Sequence, residues 1–330
     1  MTPPPGLPDP DRLAAASPDS RLPLVSIVTP SLNQGRFIEA TIRSVREQDY
    51  PAIEHLVLDG GSRDETLDLL ARYAPPLRWL SEPDGGQTQA INRGFRMASG
   101  EILSWLNADD LLLPGAVRAV VEAFQDAPGA MMVYGDGRLI DEAGRAMAPF
   151  RYTEPFNWRR LVEVHDYILQ PAAFVRRRAL EAVDYLDERL EWAMDWDLWI
   201  RIGRRFPVHY LPVPLAEARI HRDSKTSRAG LSKLVEMHRI VRPHSRRRVP
   251  PVLFIHGAGT VYRMIRRVLG RSPGAARPSP DARPRALTYW ARRWMDHLIE
   301  TGQMPWERTL DPDLRRPHPA SRAADTGRER

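Results

Sequence analysis

The chain has 330 residues, of which 42% are hydrophobic, and is therefore long enough for one large domain with a substantial core or for two smaller ones. It contains no cysteine, which excludes disulfides, thiolate nucleophiles and cysteine-ligated zinc. No stretch is apolar over the about eighteen residues that a membrane-spanning helix needs. We therefore expect a globular protein in which any metal is bound by oxygen or imidazole ligands.

The formal net charge is +6, and the basic residues are concentrated late in the chain. Arginine runs occur in HSRRRVP (244–250), YRMIRRVLGR (262–271) and RPRALTYWARRW (283–294). Because basic regions attract phosphate, three interpretations stay open: a solvated surface, contact with an anionic membrane or lipid phosphate, and nucleic-acid binding. No helix-turn-helix, zinc-finger or RNA-binding signature is present, so we expect no nucleic-acid partner.

The first half of the chain predicts four strand-then-helix units. Short apolar runs, each followed by a polar loop and an amphipathic stretch, begin with LVSIVTP (24–30), IEHLVLD (53–59), LRWLSE (77–82) and EILSWL (101–106). This alternation predicts an α/β fold with a parallel sheet covered by helices on both faces. Ligands of such sheets bind beyond the carboxyl ends of the strands. The loops SLNQG, GGSRDE, DGGQ and NADD are therefore expected to meet at one edge of the sheet.

The pattern changes after residue 130. MMVYGDGRLIDEAGRAMAPF predicts two strands around a DEAG turn, LQPAAFVRR a short strand running into a helix, and EWAMDWDLWIRIGRRF a helix. VHYLPVPLAEARIHR (208–222) is extended but interrupted by proline, which predicts an edge strand. Residues 1–22 predict a disordered lead-in, 272–286 a linker, and 287–300 an amphipathic helix.

The stretch NADD (107–110) ends in two adjacent carboxylates. Such a pair repels itself unless a cation or a partner base neutralises it. Oxygen ligands suit Mg²⁺ or Mn²⁺, which leave their other coordination positions to water and substrate phosphates. The alternative is that Asp109 or Asp110 caps the helix that begins near Pro114, although a cap needs only one of them.

Four segments, in this order and spacing, together resemble glycosyltransferase family 2. They are VSIVTPSLNQGRFIEATIRSV, LVLDGGSRDET, EPDGGQTQAINRGFRMASGEILSWLNADD and AMDWDLWIRI, within residues 24–225. The resemblance implies inverting enzymes that use nucleotide sugars and have a GT-A fold, a Rossmann-like and mostly parallel sheet flanked by helices. We place this domain at 23–242, with a nucleotide-binding half at 23–128 and an acceptor half at 129–242. A basic, Pro/Arg-rich extension with one or two helices and a disordered end would occupy 243–330.

The resemblance also assigns donor and metal ligands. It implies donor contacts from Thr29, Pro30, Asn33, Asp59, Asp84, Asn92, Asp109 and His221. Asp59 matches the position that reads a uracil or thymine base, but the second acid that often follows it is Gly60 in this chain. NADD matches the D-x-D element with Asn107 in place of the first acid. Asp110 and Asp109 are thus the implied ligands of Mn²⁺ or Mg²⁺.

AMDWDLWIRI matches the segment that carries the catalytic base of inverting members. Asp195 is the implied base, with Met194 in place of the usual glutamate. Inversion needs such a carboxylate to take a proton from the acceptor hydroxyl as its oxygen attacks the anomeric carbon. Asp197 is expected to be a helix-start residue or a structural partner.

The acceptor and diphosphate contacts follow from two further matches. QPAAF (170–174) resembles a segment under the acceptor site, which implicates Gln170, and Trp192 and Trp196 could stack on sugar C–H faces. RIHRDSKTS (219–227) resembles an R-x-H-x-x-S loop that closes over the diphosphate. Its His221 could bind the ion or a phosphate oxygen, and Arg219, Arg222 and Lys225 could offset phosphate charge.

These inferences give one expected function and two alternatives. We expect inverting transfer of a sugar from a nucleotide-sugar donor, UDP or dTDP rather than GDP, to a glycan or lipid-linked glycan acceptor in bacterial cell-surface polysaccharide or lipopolysaccharide synthesis. The protein would be cytoplasmic, with peripheral contact to the anionic inner membrane face through the basic region. A sugar-1-phosphate nucleotidyltransferase would need a glycine-rich basic loop, of which SLNQGRF is a poor version. A noncatalytic nucleotide-sugar-binding module is favoured only by Asn107, Gly60 and Met194.

Overall fold

A computed structural model describes residues 22–222, 224, 225, 231–245 and 253. The predicted lead-in, linker, C-terminal helices and disordered end lie outside the described residues, apart from Leu22 and the few positions after 242. No helix in the described ranges is both long enough and apolar enough to cross a membrane. The chain divides into two compact units, the first made of residues up to Thr153 and Ile168–Ser224, the second of Glu154–Tyr167 and the residues from Lys225 onward. The domain boundaries inferred from the sequence stay a prediction.

The described strands of the first unit form one mixed sheet in the order β3-β2-β1-β4-β8-β6-β9-β5, with β7 paired to β6. The strands are β1 (Val25–Ser31), β2 (Ile53–Asp59), β3 (Arg78–Ser81), β4 (Ile102–Trp105), β5 (Leu111–Leu112), β6 (Met132–Ile140), β7 (Ala146–Pro149), β8 (Ala173–Arg176) and β9 (Val208–Arg219). The helices within the described residues are α1 (Gly35–Arg46), α2 (Thr66–Tyr73), α3 (Gln87–Met97), α4 (Ala116–Asp126), α5 (Trp158–Glu163), α6 (Arg177–Ala182), α7 (Met194–Arg205) and α8 (Leu231–Val241), with a 3₁₀ turn at Gln170–Ala172.

The four predicted strand-helix units are confirmed. β1 pairs in parallel with β2 and β4, and β2 with β3. The helices α1, α2 and α3 directly follow β1, β2 and β3, and α4 follows β4 after the two-residue β5. The strands β1, β2 and β4 are mostly buried because helices cover both faces of the sheet. Since parallel strands end at the same edge, the loops after β1, β2, β3 and β4 are neighbours.

The second half of the sheet is largely antiparallel. β8 pairs antiparallel with β4 and β6, and β6 and β7 form the predicted hairpin around DEAG, with Gly144 at φ 80°. Glycine suits this turn because a positive φ is strained for residues that carry a Cβ. β9 pairs in parallel with β6, so that a residue late in the chain returns to the edge where β4 ends.

The edge-strand prediction for β9 is right only for its proline-bearing part. β5 pairs with β9 at Ala216 and Glu217, which makes this stretch internal to the sheet. Pro212 and Pro214 lie where, among the described strands, only β6 is a neighbour. Proline lacks the N–H that a second neighbour would need, which explains the division.

The two faces of the sheet carry different helices. On one face, Ile102, Val133 and Phe174 belong to a core cluster that also contains Val117 and Phe124 of α4. On the other face, Trp105 of β4 stacks on Trp199 of α7, with ring centroids 5.5 Å apart, and meets Phe95 of α3 edge to face at 6.0 Å. The tryptophan stack fixes α7 against the end of β4.

The second unit has side-chain contacts of its own. Asn157 caps α5 by accepting a hydrogen bond from the Arg160 N–H at 3.1 Å. The Arg160 guanidinium donates to both carboxylate oxygens of Glu154, at 2.6 and 2.9 Å. Trp158 lies edge to face with His244 at 5.9 Å.

His55 on β2 is buried in the sheet of the first unit. Its Nε2 lies 2.9 Å from the Thr29 hydroxyl, and burial lowers the pKa of the imidazole to about 3. The folded protein therefore keeps His55 neutral over a pH range in which the unfolded chain protonates it.

We expect His55 to weaken the fold as the pH falls. The unfolded chain binds a proton near pH 6.5 and the folded chain only near pH 3, so the free energy of unfolding decreases by about 1.4 kcal/mol per pH unit across this interval. Replacing His55 with glutamine removes this term. Urea unfolding of both proteins should show that wild type loses about 2 kcal/mol more than His55→Gln between pH 7 and pH 5. Equal losses in the two proteins would contradict the burial argument.

Candidate functional site

The loops after β1 and β2 are joined by a dense set of hydrogen bonds around Asp59. One Asp59 oxygen accepts from the Gly61 N–H (3.0 Å), the Ser62 N–H (2.8 Å) and the Ser81 hydroxyl (2.7 Å), and the other accepts from the Ser62 hydroxyl at 2.5 Å. The Asn33 N–H donates to Ser62 Oγ at 2.6 Å. Asp59 is buried and its contacts fix the loop backbone. Base reading by Asp59 stays a prediction, and its own contacts favour a positioning role.

Three residues in or after β1 are predicted to contact the donor, and of these Asn33 lies at the surface. It has a φ of 52°, and its side-chain oxygen accepts from the Arg63 N–H at 2.9 Å. Thr29 and Pro30 are instead buried within β1, and the Thr29 hydroxyl is engaged by His55. Their burial gives no support to direct donor contact, because a strand residue whose side chain faces the core cannot reach the rim.

Asp84 lies beside Gly60, the position at which the family often has its second acid. The Asp84 carboxylate accepts from the Gly86 N–H at 2.8 Å, and its other oxygen is 3.1 Å from where a Gly60 Cβ would stand. Asp84 is exposed in the β3–α3 loop. The exposed Asp84 carboxylate of the β3–α3 loop therefore lies next to Gly60 of the β2–α2 loop, which itself supplies no acid.

Asn92 has its amide taken up by a structural role. It is 1% exposed, donates to the Leu186 carbonyl and to Glu188, both at 2.9 Å, and accepts from the Leu186 N–H at 3.0 Å. The predicted donor contact stays a prediction that this placement does not support. The amide instead ties α3 to the segment before α7.

The aspartate pair lies at the end of β4 and does not cap α4. The N-cap of α4 is Gly115, at φ 78°, and no side chain caps it, so the capping alternative is wrong. The Thr41 hydroxyl lies 2.9 and 2.8 Å from the carbonyl oxygens of Ala108 and Asp110 and holds the loop from α1. Asp109 and Asp110 are thus placed by tertiary contacts.

Asp110 is nearly buried and hydrogen bonded on both oxygens. It accepts from the Arg219 N–H at 2.9 Å and from the Asn107 side-chain amide at 3.0 Å. Burial, reinforced by the neighbouring charge of Asp109, raises the pKa of the Asp110 carboxyl well above its usual range. The loop therefore places the Asp110 carboxylate next to Asp109 in a buried position that disfavours its ionised form.

Asn107 connects the aspartate pair to both halves of the sheet. Its oxygen accepts from the Gln87 amide at 2.8 Å, and its nitrogen donates to Asp110 and to the Gln170 oxygen, the latter at 3.1 Å. Gln170 also donates to the Trp105 carbonyl at 2.7 Å. The predicted acceptor residue Gln170 is therefore brought to the same place as the predicted metal ligands.

His221 is brought to the aspartate pair, as the resemblance implies. Its Nε2 lies 2.8 Å from an Asp109 carboxylate oxygen, and its ring meets Phe37 with centroids 4.8 Å apart. Arg219 directs its guanidinium at backbone carbonyls, donating to Asp109 at 2.8 Å and to Asp141 and Glu142 at 3.1 and 3.2 Å. Arg219 therefore holds the loop through its Nε and Nη1 atoms. Arg222 is exposed.

Asp109 and Asp110 are the two carboxylates of the site that have the oxygen ligands a hard divalent cation prefers. No group of three or more histidine, aspartate or glutamate side chains that could hold a metal exists within the described ranges. The Asp109 carboxylate lies against the His221 imidazole, and its charge acts on the neighbouring Asp110 carboxyl. A cation bound there would need water or phosphate oxygens for its remaining positions.

Asp195 lies in the first turn of α7, which begins at Met194. The Met194 sulfur is 2.7 Å from the Thr88 hydroxyl at the start of α3, and the adjacent Gln87 bonds to Asn107. These contacts bring the start of α7 to the carboxyl edge of the parallel strands. The Asp195 carboxylate accepts from the Trp196 N–H at 2.8 Å, and helix N-termini favour such negative charge.

The residues near Asp195 divide into core and surface. Trp196 is 3% exposed, which makes contact with an acceptor sterically unfavourable, whereas Trp192 is half-buried. Asp197 pairs with Arg201 at 2.7 Å, four residues on, as expected for a structural partner. Trp192 is thus the better placed of the two tryptophans for a sugar.

Sequence reasoning missed two side chains of the site. Gln87 orients Asn107, and Phe37 stacks against both His221 and the Arg219 guanidinium, the latter at 5.1 Å. Gln87 ends the predicted loop DGGQ, one of the loops expected at the rim, and in the structure it begins α3. Nothing in the sequence indicates a site role for Phe37, because its position in the apolar pattern of α1 predicts an ordinary core residue.

We expect Arg219 to support the aspartate loop through its side chain. In Arg219→Met the carbonyls of Asp109, Asp141 and Glu142 lose a donor, and a buried carbonyl without a partner costs about 1–3 kcal/mol. Urea unfolding should show a loss of about 2 kcal/mol. Arg145→Met, which removes an exposed arginine from the same hairpin, is the matched control and should change little. A loss of similar size in both variants would contradict this role for Arg219.

The chain matches known proteins over most of the first unit. Residues 26–184 match the family model described as glycosyl transferase family 2. An uncharacterized glycosyltransferase of Rickettsia felis is 29% identical over 210 residues, which are 60% of this chain and 34% of the relative. The chain therefore spans about a third of the length of that relative.

Solved structures share the fold. Staphylococcus aureus TarS, residues 1–349 in complex with UDP-GlcNAc, aligns with a TM-score of 0.56 at 19% identity and covers 76% of this chain and 73% of its own. The mannosyltransferase PcManGT of Pyrobaculum calidifontis, in complex with GDP-Man and Mn²⁺, aligns with a TM-score of 0.53 at 16% identity over 91% of this chain and 87% of its own. The mixed sheet flanked by helices is accordingly a GT-A fold, and residues 26–184 belong to glycosyl transferase family 2.

Proposed function

We propose that this protein is an inverting glycosyltransferase that moves a sugar from a nucleotide-sugar donor to an acceptor hydroxyl. The observation that carries the proposal is the aspartate pair at the end of β4. Two carboxylates are held at a ligand-binding edge by Arg219, His221 and Asn107, although neither serves as a helix cap. A site built against charge repulsion is explained by a cationic ligand and the phosphates that accompany it.

The donor would bind across the loops after β1, β2 and β3. Among structural neighbours, TarS binds UDP-GlcNAc and PcManGT binds GDP-Man, which supports the nucleotide-sugar class. We place Asp84 as the base-reading carboxylate, because it stands over Gly60 and is exposed. A carboxylate accepts the imide N–H of uracil or thymine, so UDP and dTDP are the preferred nucleotides, with Asn33 at the same rim.

Asp109 and Asp110 would hold Mn²⁺ or Mg²⁺, which supplies positive charge that offsets the charge of the departing diphosphate. The Mn²⁺ in the PcManGT complex supports this choice. His221 orients the Asp109 carboxylate through its 2.8 Å contact, and Asn107 and the Arg219 N–H orient Asp110. These partners keep both carboxylates fixed before a donor arrives.

Asp195 would act as the base on the acceptor side. It takes the proton of the acceptor hydroxyl while that oxygen forms a bond to the anomeric carbon, and the bond from that carbon to the diphosphate breaks with its electron pair leaving on the diphosphate. The start of α7 next to α3 supports this position. Gln170 and Trp192 lie on the acceptor side of the same region.

The acceptor class is proposed from the chemistry of the family. We propose a glycan or lipid-linked glycan, used in bacterial polysaccharide or lipopolysaccharide synthesis at the cytoplasmic face of the inner membrane. The arginine-rich region after residue 245, which apart from residue 253 lies outside the described residues, would contact anionic lipid.

Nucleotide binding is the first test. Calorimetric titration with UDP, dTDP and GDP, with and without Mn²⁺, should show ion-dependent binding of UDP or dTDP. Asp110→Asn removes one ligand charge and should weaken that binding at least tenfold. Asp68→Asn, which removes an exposed carboxylate on α2, is the matched control and should bind as wild type does. If no nucleotide binds with or without the ion, the proposal is wrong.

The base is tested separately from donor binding. Asp195→Asn keeps the size and the acceptor oxygen of the side chain but cannot take a proton at neutral pH. We expect sugar transfer to fall by about a thousandfold or more, since general-base catalysis contributes about 10²–10⁴-fold. Nucleotide affinity, measured by the same titration, should stay within about twofold of wild type. Substantial transfer by the variant would remove Asp195 from the role.

A further inference from the structure

One carboxylate of the acceptor half has no role in the site described so far. Asp136 lies on β6 and is half-buried, and one of its oxygens accepts from the Tyr210 hydroxyl at 2.8 Å. No other hydrogen bond or ion pair to this carboxylate comes from the described part of the chain. Its second oxygen is therefore available to a ligand.

Strand register places Asp136 on the face of the sheet that carries α7. Leu103, Val175 and Met132 are paired neighbours across β4, β8 and β6 and so share one face. Because side chains alternate along a strand, Trp105 and Tyr134 lie on that face, and Asp136 follows two residues beyond Tyr134. Trp105 is the residue that stacks on Trp199 of α7.

Asp195 lies above the same part of this face. It precedes Trp199 by four residues on α7, so the two side chains occupy one face of the helix. Trp199 rests on Trp105, and Asp195 is one turn nearer the edge at which Asn107 follows β4. Asp136 follows Tyr134 by two residues on β6, toward the edge at which β4 ends. β6 is the second strand from β4, which places it about 10 Å away.

The ladder between β6 and β9 is irregular at Asp136. Gly135 pairs with Leu211 and Asp136 with Pro214, so that Pro212 and Val213 have no partner on β6. Bulges of this kind redirect side chains and concentrate near functional sites. The irregularity lets Tyr210, paired with Tyr134, reach forward to Asp136.

The glycines on either side of Asp136 point to the opposite face and cannot be larger. A Cβ on Gly135 would stand 2.5 Å from Leu215, and one on Gly137 would stand 2.2 Å from Leu169. Leu169 and Leu215 belong to the core cluster on the α4 side. The packing on that side therefore holds β6 at a fixed depth and, with it, the Asp136 carboxylate.

We propose that Asp136 binds a hydroxyl group of the acceptor sugar, with Tyr210 as its positioning residue. This inference rests on the proposed function and extends it from the base to the acceptor subsite. The Asp136 oxygen that is not bonded to Tyr210 accepts a hydrogen bond from a sugar hydroxyl. The half-buried Tyr210 ring lies beside it and packs on the buried Tyr134 with ring centroids 5.4 Å apart. A hydrogen bond from the sugar hydroxyl to the Asp136 carboxylate is strong because the carboxylate carries a charge. The same charge favours a neutral monosaccharide unit over an anionic one.

Simple glycosides can test this subsite. With UDP-GlcNAc and dTDP-glucose as donors and Mn²⁺ present, release of the nucleoside diphosphate is followed as a function of each of the methyl α- and β-glycosides of glucose, galactose, mannose and N-acetylglucosamine. For a glycoside that wild type uses, Asp136→Asn should raise KM about tenfold, the loss of one charge-assisted hydrogen bond, and change kcat much less. Asparagine still accepts from Tyr210, so the strand contacts survive.

Tyr210→Phe gives a second reading of the same subsite. It keeps the ring against Tyr134 but leaves the carboxylate without its fixed donor, and KM should rise about threefold with kcat nearly unchanged. Asp68→Asn is the control and should leave both constants unchanged. A purely structural role for Asp136 would lower kcat and the free energy of unfolding together, and that result would overturn the proposal.

The outcomes separate this proposal from the proposed function. If the nucleotide binds with its ion and Asp136→Asn has the KM of wild type, the acceptor subsite is wrong and the glycosyltransferase proposal stands. If wild type binds the nucleotide but none of the glycosides gives a saturable rate, a monosaccharide subsite at Asp136 is likewise overturned. If no nucleotide binds, the failure lies with the proposed function.

Discussion

The contact on which the site depends is the one between Arg219 and the two aspartates after β4. The Arg219 N–H bonds to the Asp110 carboxylate and its guanidinium to the Asp109 carbonyl, joining residues about a hundred positions apart. β9 can make this contact because it runs parallel to β6 and pairs with β5 directly after the aspartates. The second half of the sheet thus holds in place the aspartate loop that follows β4 of the first half.

The guanidinium group of Arg219 does not pair with either carboxylate of Asp109 and Asp110. Its Nε and Nη1 atoms donate to backbone carbonyls, and the His221 imidazole lies against Asp109. Burial, together with the neighbouring charge of Asp109, raises the pKa of the Asp110 carboxyl, so the ionised carboxylate costs folding free energy. Binding sites commonly carry such a local cost, since the groups that a ligand needs cannot also neutralise one another.

The sequence predicted the elements well and the contacts unevenly. The four strand-helix units and the β6–β7 hairpin follow from apolar periodicity and turn residues, which are local signals. The resemblance implicates Asp109 and His221 separately, and the structure brings them within hydrogen-bond distance of each other. The burial of Asn92 and Trp196 could not be read from the chain, because it depends on which helix face meets a loop distant in sequence.

Asn107 shows why a departure from the family pattern can suit its surroundings. Its amide accepts from Gln87 and donates to both Asp110 and Gln170, which no carboxylate could do. An aspartate at this position would set a third negative charge against Asp110 and leave one of the two oxygens facing it without a donor. The asparagine instead stabilises the charged form of Asp110 and ties α3, β4 and the Gln170 turn into one network. The loop thus carries one charge fewer than the family pattern, and its Asp110 carboxylate is hydrogen bonded on both oxygens.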